Sequence, residues 1–171
     1  MIWGTSALTR VAARRFVGQL HENAKYPALW GVLPEVAHTQ VAAFDGPFAP
    51  RSSRLSAPEP GPGAEDLAEL PGWDLDYEEA EPASGFTALR LILIADPDED
   101  PRVASQRGAV TELAGQRGVG ISELAMDGEH PLVRLAGVIQ LTDYASVYLA
   151  IASGIDPGQT VAIRDLRTRI E

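Results

Sequence analysis

The sequence predicts an α/β fold in which a parallel sheet is flanked by helices. Residues 2–3 and 89–95 have the continuous apolar character of strands that are buried on both faces. A third candidate strand covers residues 121–126, and a stretch with helical character follows each of the three. Strands that alternate with helices are typical of a parallel sheet covered by helices, so we expect one domain of this class.

The first strand leads through a small polar turn, Gly4, Thr5 and Ser6, into an amphipathic helix that ends near Asn23. The inner side of this helix is predicted to carry apolar residues at helical spacing: Leu8, Val11, Ala12, Phe16 and Leu20. A strand that runs through such a turn into a helix N-terminus is the geometry that α/β folds use to hold anions. The motif is short, and it therefore indicates an anion site only weakly.

Two stretches interrupt the alternation. Pro27 and Pro34 break the chain, and a short helix over residues 34–44 would place Glu35, His38 and Thr39 along one side.

The second interruption, residues 47–83, holds seven of the thirteen prolines, and nine acidic residues without a Lys or Arg lie between Leu55 and Phe86. Such a composition buries too little apolar surface to offset the entropy of ordering, so we predict a flexible acidic insertion at 47–83.

The compact pattern resumes with the apolar strand at 89–95, which has the character of a central strand in a parallel sheet. A polar helix is predicted at 101–116, and residues 121–126 form the next strand.

Residues 132–153 are predicted to form an almost wholly apolar helix, buried against the sheet or against another subunit. Gly154 is expected to end this helix, and Asp156 and Pro157 to open a last one. Four apolar residues are predicted to line the inner side of the last helix: Val161, Ile163, Leu166 and Ile170.

Composition narrows the class of protein. A chain of 171 residues with 45% hydrophobic and 22% charged residues fits one soluble globular domain. We find no signal peptide, no cysteine and no run of about 18 uncharged apolar residues that could span a membrane, so we expect a cytoplasmic protein. The net charge of −10 arises mostly from the acidic stretch, and no basic stripe remains for a nucleic acid.

Candidate catalytic residues lie close together in the first third of the chain. Glu22, Lys25 and His38 bring a carboxylate, the only lysine and an imidazole into one neighbourhood, which suits an enzyme that moves protons on a small substrate. Two simpler interpretations stay open: Glu22 and Lys25 could form an exposed ion pair, and Asn23 could cap a helix. Regular metal-ligand spacing is lacking here, and we expect neither a metal nor a cofactor.

Four groups of residues, in this order and spacing, resemble a known family: Glu22 to Lys25; Leu33, Pro34, Glu35 and His38; Tyr148 to Ala150 with Gly154 to Pro157; and Ile163 to Leu166. The family is the bifunctional phosphoglucose/phosphomannose isomerases of bacteria and archaea, with actinobacterial TobH-like relatives. These enzymes contain two sugar isomerase (SIS) domains, each a three-layer sandwich. The resemblance is to the C-terminal half. It implies that residues 1–171 form one C-terminal SIS domain and that the N-terminal SIS domain is absent from this chain.

The resemblance also implies a mechanism. Glucose 6-phosphate or mannose 6-phosphate is converted to fructose 6-phosphate through an enediolate, with Glu22 as the base and His38 as the residue that assists ring opening. His38 would come from the neighbouring subunit, so the site would be shared across a homodimer. Asn23, Lys25 and Arg167 would contact the sugar phosphate.

Two departures from the family leave a second hypothesis open. The chain has Thr39 and Gln40 where the family usually has Asn and Glu, and the family's phosphate-holding residues belong to the first SIS domain. The isolated domain is therefore expected to be inactive. The alternative is a non-catalytic SIS domain that binds a phosphosugar for recognition or regulation.

Overall fold

A parallel sheet of four strands forms the middle layer of the computed structural model, which describes residues 1–50 and 89–170. The strands are β1 (Ile2–Gly4), β2 (Trp30–Val32), β3 (Arg90–Ala95) and β4 (Gly120–Ala125). They are arranged in the order β2-β1-β3-β4, and every neighbouring pair is parallel. The predicted parallel α/β fold is confirmed. The predicted insertion at 47–83 lies outside the described residues, except for residues 47–50.

Three helices cover the two faces of this sheet: α1 (Ala7–Glu22), α2 (Pro101–Gln116) and α3 (Pro131–Ala152). A fourth helix, α4 (Val161–Ile170), follows them, and two 3-10 helices lie at Glu35–His38 and Gln40–Asp45. The predicted bounds of the helices at 101–116 and 132–153 are correct to within one residue.

Two hydrophobic cores lie on opposite faces of β1 and β3, because successive side chains of a strand point to opposite sides. Ile2 and Ile94 pack with α1 and α3 on one face. Trp3 and Leu93 pack with α2 and the 3-10 helices on the other, where the Trp3 ring stacks on Phe44 with centroids 6.0 Å apart. The domain is therefore a three-layer sandwich.

The start of α1 is fixed by a capping box. The Ser6 hydroxyl accepts hydrogen bonds from the backbone N–H groups of Leu8 and Thr9, and the Thr9 hydroxyl accepts one from the Ser6 N–H. Gly4 makes the close approach of strand and helix possible. A Cβ at this position would lie 2.7 Å from the Thr9 hydroxyl oxygen and 2.8 Å from the Thr9 carbonyl carbon.

The single helix predicted at 34–44 is wrong. The chain forms two 3-10 helices that are separated at Thr39, whose backbone angles of φ −131° and ψ −69° are not helical. The sequence prediction also missed β2, a strand of only three residues. Gly31 lets the first 3-10 helix pack closely on β2, because a Cβ there would lie 2.0 Å from a methyl carbon of Val36.

The prediction for the last helix is wrong in two respects. Asp156 does not open it: its carboxylate accepts a hydrogen bond from the Gly158 N–H in a turn, and α4 begins only at Val161. None of the ten residues of α4 is buried, so the four apolar residues predicted on its inner side are exposed. Val11, predicted on the inner side of α1, is also exposed.

Helix α3 is only partly buried. One side packs on α1 through residues such as Val138, and Gly154, with φ +69°, ends the helix as predicted. By length and composition alone α3 could cross a membrane, contrary to the expectation that no such run exists. In the folded domain, however, the buried Arg134 of α3 pairs with Asp96 and Asp98, which follow β3.

Candidate active site

Glu22 is the last residue of α1 and is exposed to solvent. Helix α1 starts at the carboxyl edge of the sheet, where Ser6 contacts Asp96 just after β3. It runs back to the amino edge, and from there residues 23–29 lead into β2. Glu22 therefore lies at the amino edge of the sheet.

Lys25 holds the C-terminal end of α1. Its Nζ donates hydrogen bonds to the carbonyl oxygens of Glu22 at 2.6 Å and of Asn23 at 3.4 Å. A lysine in this position satisfies carbonyl groups that the helix leaves free, and it offsets the negative end of the helix dipole. Lys25 contacts the backbone of Glu22, and this contact differs from the side-chain ion pair that the sequence left open. The backbone of Lys25, with a φ of +55°, lies in the left-handed region.

Asn23 joins the end of α1 to α3. Its side-chain amide donates hydrogen bonds to Gln19 Oε1 at 3.1 Å and to Ser146 Oγ at 2.8 Å. The residue before Glu22 is also anchored, because His21 Nε2 accepts a hydrogen bond from the Ala28 N–H at 3.2 Å. The segment that carries Glu22 is thus fixed on both sides, while its carboxylate faces solvent.

His38 lies at the opposite edge of the sheet. It ends the first 3-10 helix, which follows β2 at the carboxyl edge, and it is exposed. A pocket of about 450 Å³ adjoins this turn, and its polar lining includes Arg10, Glu35, Thr39 and Gln40. The pocket lies beside the first turns of α1, where the helix begins.

The structure does not bring Glu22 and His38 together within one chain. They lie at opposite edges of the sheet, and the sixteen residues of α1 between these edges span about 24 Å. Arg167 lies in the last turn of the exposed helix α4. Among the hydrogen bonds and ion pairs of residues 1–50 and 89–170, none joins Arg167 to Glu22 or His38.

The N–H groups of the turn that suggested an anion site are bound by hydroxyl groups of the chain itself, because those of Thr5 and Ser6 donate to the Thr9 hydroxyl. Asp96 accepts a hydrogen bond from the Ser6 hydroxyl at 2.7 Å, and its backbone N–H donates to the Thr5 hydroxyl at 3.0 Å. Arg134 approaches the same carboxylate at 3.5 Å and also binds Asp98. The hydrogen bond to Asp98 raises the pKa of Arg134. Both Asp96 and Arg134 are buried, so this group closes the carboxyl edge between β1 and β3.

Three residues take part in the turns near Ser6 and His38 although the sequence did not predict these contacts. They are Asp96, Arg134 and Gln40. Asp96 follows an apolar strand and Arg134 interrupts an apolar helix, which are the places where a buried charge needs a partner. The sequence features that could have indicated a buried ion pair are therefore the positions of Asp96 and Arg134 in these apolar segments. Nothing local in the sequence indicated that the two residues would meet.

A family model for the bacterial phospho-glucose isomerase C-terminal SIS domain matches residues 1–170. The chain belongs to this family. The parallel sheet covered by helices on both faces is therefore the SIS domain, and the turn at Gly4 to Ser6 connects its strand β1 to helix α1.

Two curated relatives of this SIS domain are bifunctional phosphoglucose/phosphomannose isomerases. The protein from Caldicellulosiruptor bescii is 24% identical over 170 residues, which are 99% of this chain and 40% of the relative. The protein from Aquifex aeolicus is 24% identical over 167 residues, which are 98% of this chain and 41% of the relative. The chain thus spans about two fifths of the length of the curated relatives it matches.

Among solved structures, the SIS domain is similar to a glucose-6-phosphate isomerase like protein from Thermus thermophilus. The two are 16% identical with a TM-score of 0.48, and the match covers 98% of this chain and 42% of the other.

Proposed function

We propose that this SIS domain supplies part of the active site of a sugar-phosphate aldose/ketose isomerase. The substrates would be glucose 6-phosphate and mannose 6-phosphate, each converted to fructose 6-phosphate. Membership of the family and the names of the two curated relatives support this class of activity.

In the proposed reaction, the Glu22 carboxylate removes the proton from C2 of the open-chain aldose. The electrons of the broken C–H bond form the C1–C2 double bond of the enediolate, and the carbonyl electrons move to O1. The protonated Glu22 then returns this proton to C1, while the hydroxyl proton of O2 passes to O1 and leaves a carbonyl at C2. His38 assists the earlier ring opening, for which an imidazole is suited because it both donates and accepts a proton near neutral pH.

The observation that carries the proposal is the position of these two residues at opposite edges of one sheet. Both side chains are exposed, and one chain cannot bring them to the same sugar. A homodimer can, because a two-fold axis can bring His38 of one copy to Glu22 of the other. We therefore propose a site that is shared between two copies of the chain.

The contacts of Asn23 and Lys25 support a positioning role for both residues. Their side-chain nitrogens already bind Ser146, Gln19 and the carbonyl groups at the end of α1. This arrangement holds Glu22 in place. The remaining donor capacity of Lys25 could contact the substrate, as could Arg167 from the exposed α4.

The substrate phosphate would be held by residues outside this chain. Within the described residues, the turn at Thr5 and Ser6 is the place where a SIS-type sheet could bind a phosphate, and its N–H and hydroxyl groups already bind Thr9 and Asp96. This supports the expectation that a second SIS domain completes the site.

A complementation experiment tests the shared site in the complete gene product that contains this chain. Glu22→Gln and His38→Ala should each abolish isomerisation of glucose 6-phosphate and mannose 6-phosphate, while Glu129→Gln, an exposed matched control, should retain it. A mixed dimer of the two inactive variants contains one intact site, so random mixing should restore roughly a quarter of the wild-type rate.

Activity that persists in Glu22→Gln would remove Glu22 as the base. A mixture that stays inactive, although mixed dimers form, would refute the shared site. If the wild-type protein is stabilised thermally by glucose 6-phosphate but shows no turnover, the domain is a phosphosugar-binding module instead.

A further inference from the structure

Helix α3 carries an uncharged apolar stripe along its exposed side. Five large apolar residues on this side expose between 54% and 66% of their surface. They are Val133, Leu141, Tyr144, Tyr148 and Ile151. Among the exposed residues of α3 between 132 and 152 there is no charged side chain, and the remaining ones are small or amide residues.

This stripe is large for the surface of an isolated domain. If each large side chain exposes roughly 100 Å², the five together present about 500 Å², which is in the upper part of the range of about 300–600 Å² for the largest apolar patch on a typical monomer. One side of a stable protein interface buries about 800 Å². The stripe with its small neighbouring residues therefore approaches the area that one partner contributes to such an interface.

The spacing of the stripe fits a second helix. Gly137, Leu141, Tyr144, Tyr148 and Ile151 follow one another at intervals of four, three, four and three residues. This is the repeat by which two helices pack side by side in a coiled coil.

We propose that α3 packs antiparallel against α3 of a second copy of this chain, about a two-fold axis that passes between Thr142 and Asp143. In this register Leu141 faces Tyr144 of the second copy, and Gly137 faces Tyr148. The pairing puts the largest side chain opposite the smallest. A Cβ at Gly137 would meet no atom within 4 Å, so there is open space for the ring.

Neighbouring features support this arrangement. The rings of Tyr144 and Tyr148 already stack on each other, with centroids 6.3 Å apart. A groove of about 570 Å³ runs beside the stripe between α1 and α3, and it is lined by Gln19, Asn23, Gln140 and Tyr144 among others. Side chains of the second copy that flank its own stripe enter this groove.

Charge favours a second copy over a lipid surface. Arg134 and Asp143, both in α3, are committed to ion pairs inside the domain, with Asp96 and Asp98 and with Arg15. Insertion of α3 into a bilayer would break these pairs at a high cost in free energy. No exposed lysine or arginine lies in α3 beside the stripe, and a net charge of −10 disfavours contact with anionic lipids.

The first test measures the oligomeric state of the 171-residue chain by light scattering after gel filtration. We expect a dimer at tens of micromolar. Leu141→Glu places two charges in the centre of the contact and should weaken dimerisation at least a hundredfold. Leu29→Glu is the matched control, since Leu29 is 60% exposed and Leu141 is 54% exposed. It should remain a dimer.

A second test fixes the register and does not depend on the charged variants. The chain has no cysteine, so single cysteines can be introduced without background. A mixture of Gly137→Cys and Tyr148→Cys should form a disulfide-linked heterodimer on oxidation. Neither variant should link to itself, because equivalent residues would lie about 16 Å apart along the antiparallel helices, well beyond disulfide reach.

A monomeric wild-type chain, a Leu141→Glu variant that dimerises as tightly as wild type, or self-linked Gly137→Cys would overturn the proposal. So would sedimentation of the chain with phosphatidylcholine vesicles in place of soluble dimers. The inference goes beyond the proposed shared site and does not depend on it. A dimer through α3 with no isomerase activity would refute only the function, and an active enzyme that dimerises elsewhere would refute only this surface.

Discussion

The indole N–H of Trp3 donates a hydrogen bond of 2.8 Å to the side-chain oxygen of Gln40. Trp3 is wholly buried in the central strand β1, and a buried indole requires such an acceptor. The amide nitrogen of Gln40 in turn donates to the carbonyl oxygen of Trp30 in β2 at 3.0 Å. Gln40 thus attaches the turn that follows His38 to two strands of the sheet. The Gln40 amide therefore uses both its acceptor and its donor to hold this turn.

Replacement of Gln40 should lower stability in proportion to the bonds removed. Gln40→Leu leaves the Trp3 indole without its acceptor, and we expect a loss of about 1–3 kcal/mol in the free energy of unfolding. Gln40→Glu keeps that acceptor but places a carboxylate next to the Trp30 carbonyl in place of the donor. It removes one bond and not two, so the loss of stability should be smaller than for Gln40→Leu. Gln159→Leu, at an exposed position, is the control and should change stability by less than about 0.5 kcal/mol. Urea unfolding measures all three; equal midpoints for Gln40→Leu and the control would contradict this role.

Two glycine-to-alanine changes should act in opposite directions. Gly4→Ala forces a methyl group against the backbone of Thr9, so the first turn of α1 must shift and stability should fall. Gly18→Ala, inside the same helix, meets no atom within 4 Å and should raise stability by about 0.5–1 kcal/mol because alanine favours the helix. Thermal unfolding followed by circular dichroism compares them. A stabilised Gly4→Ala would show that strand and helix are not in close contact there.

Lys25 combines a helix-capping side chain with a left-handed backbone, and two substitutions separate these effects. Lys25→Ala removes the bonds to the helix carbonyls and keeps the unfavourable φ of +55°. Lys25→Gly removes the same bonds but adopts this φ freely, so it should be more stable than Lys25→Ala by roughly 1 kcal/mol. Chemical denaturation gives the difference. If alanine proves the more stable of the two, the segment after α1 does not hold this conformation.

Arg134 should be far more sensitive to replacement than Arg15, although both form ion pairs with aspartates. Arg134→Leu leaves the buried Asp96 carboxylate without its cation, whereas the Arg15–Asp143 pair is partly exposed and screened by solvent. We expect Arg134→Leu to lower the urea midpoint clearly and Arg15→Leu to leave it near that of wild type. Comparable midpoints for the two variants would argue against a closed charge cluster at the carboxyl edge.

The local sequence pattern predicted most of the helices and strands. The features that it missed are either too short to show a pattern or depend on contacts between distant residues. The periodicity of α1, the polar character of α2, and the long apolar runs of α3 and β3 were sufficient, because each extends over several turns or a whole strand. Strand β2 was missed because three residues give no repeating pattern.

In the candidate site too, some features are predicted by the local sequence and others depend on contacts between distant residues. Glu22 and His38 are proposed from residue type, spacing and the resemblance to the family. Their placement at opposite edges of the sheet depends on the direction of α1 relative to the strands, which no local pattern contains. The same holds for the hydrogen bond between the anion turn and Asp96, because Ser6 and Asp96 are ninety residues apart.

The register of β1 with β3 pairs Ile2 with Ile92 and Gly4 with Ile94, so the two central strands come from distant parts of the chain. Such a pairing must close a large loop before any of its contacts form, and folding rates fall as the mean sequence separation of contacts grows. The thermodynamic cost of this closure rises only slowly with loop length. The separation of the central strands therefore slows folding far more than it lowers the stability of the folded state. The SIS domain should accordingly fold more slowly than a helical protein of the same length.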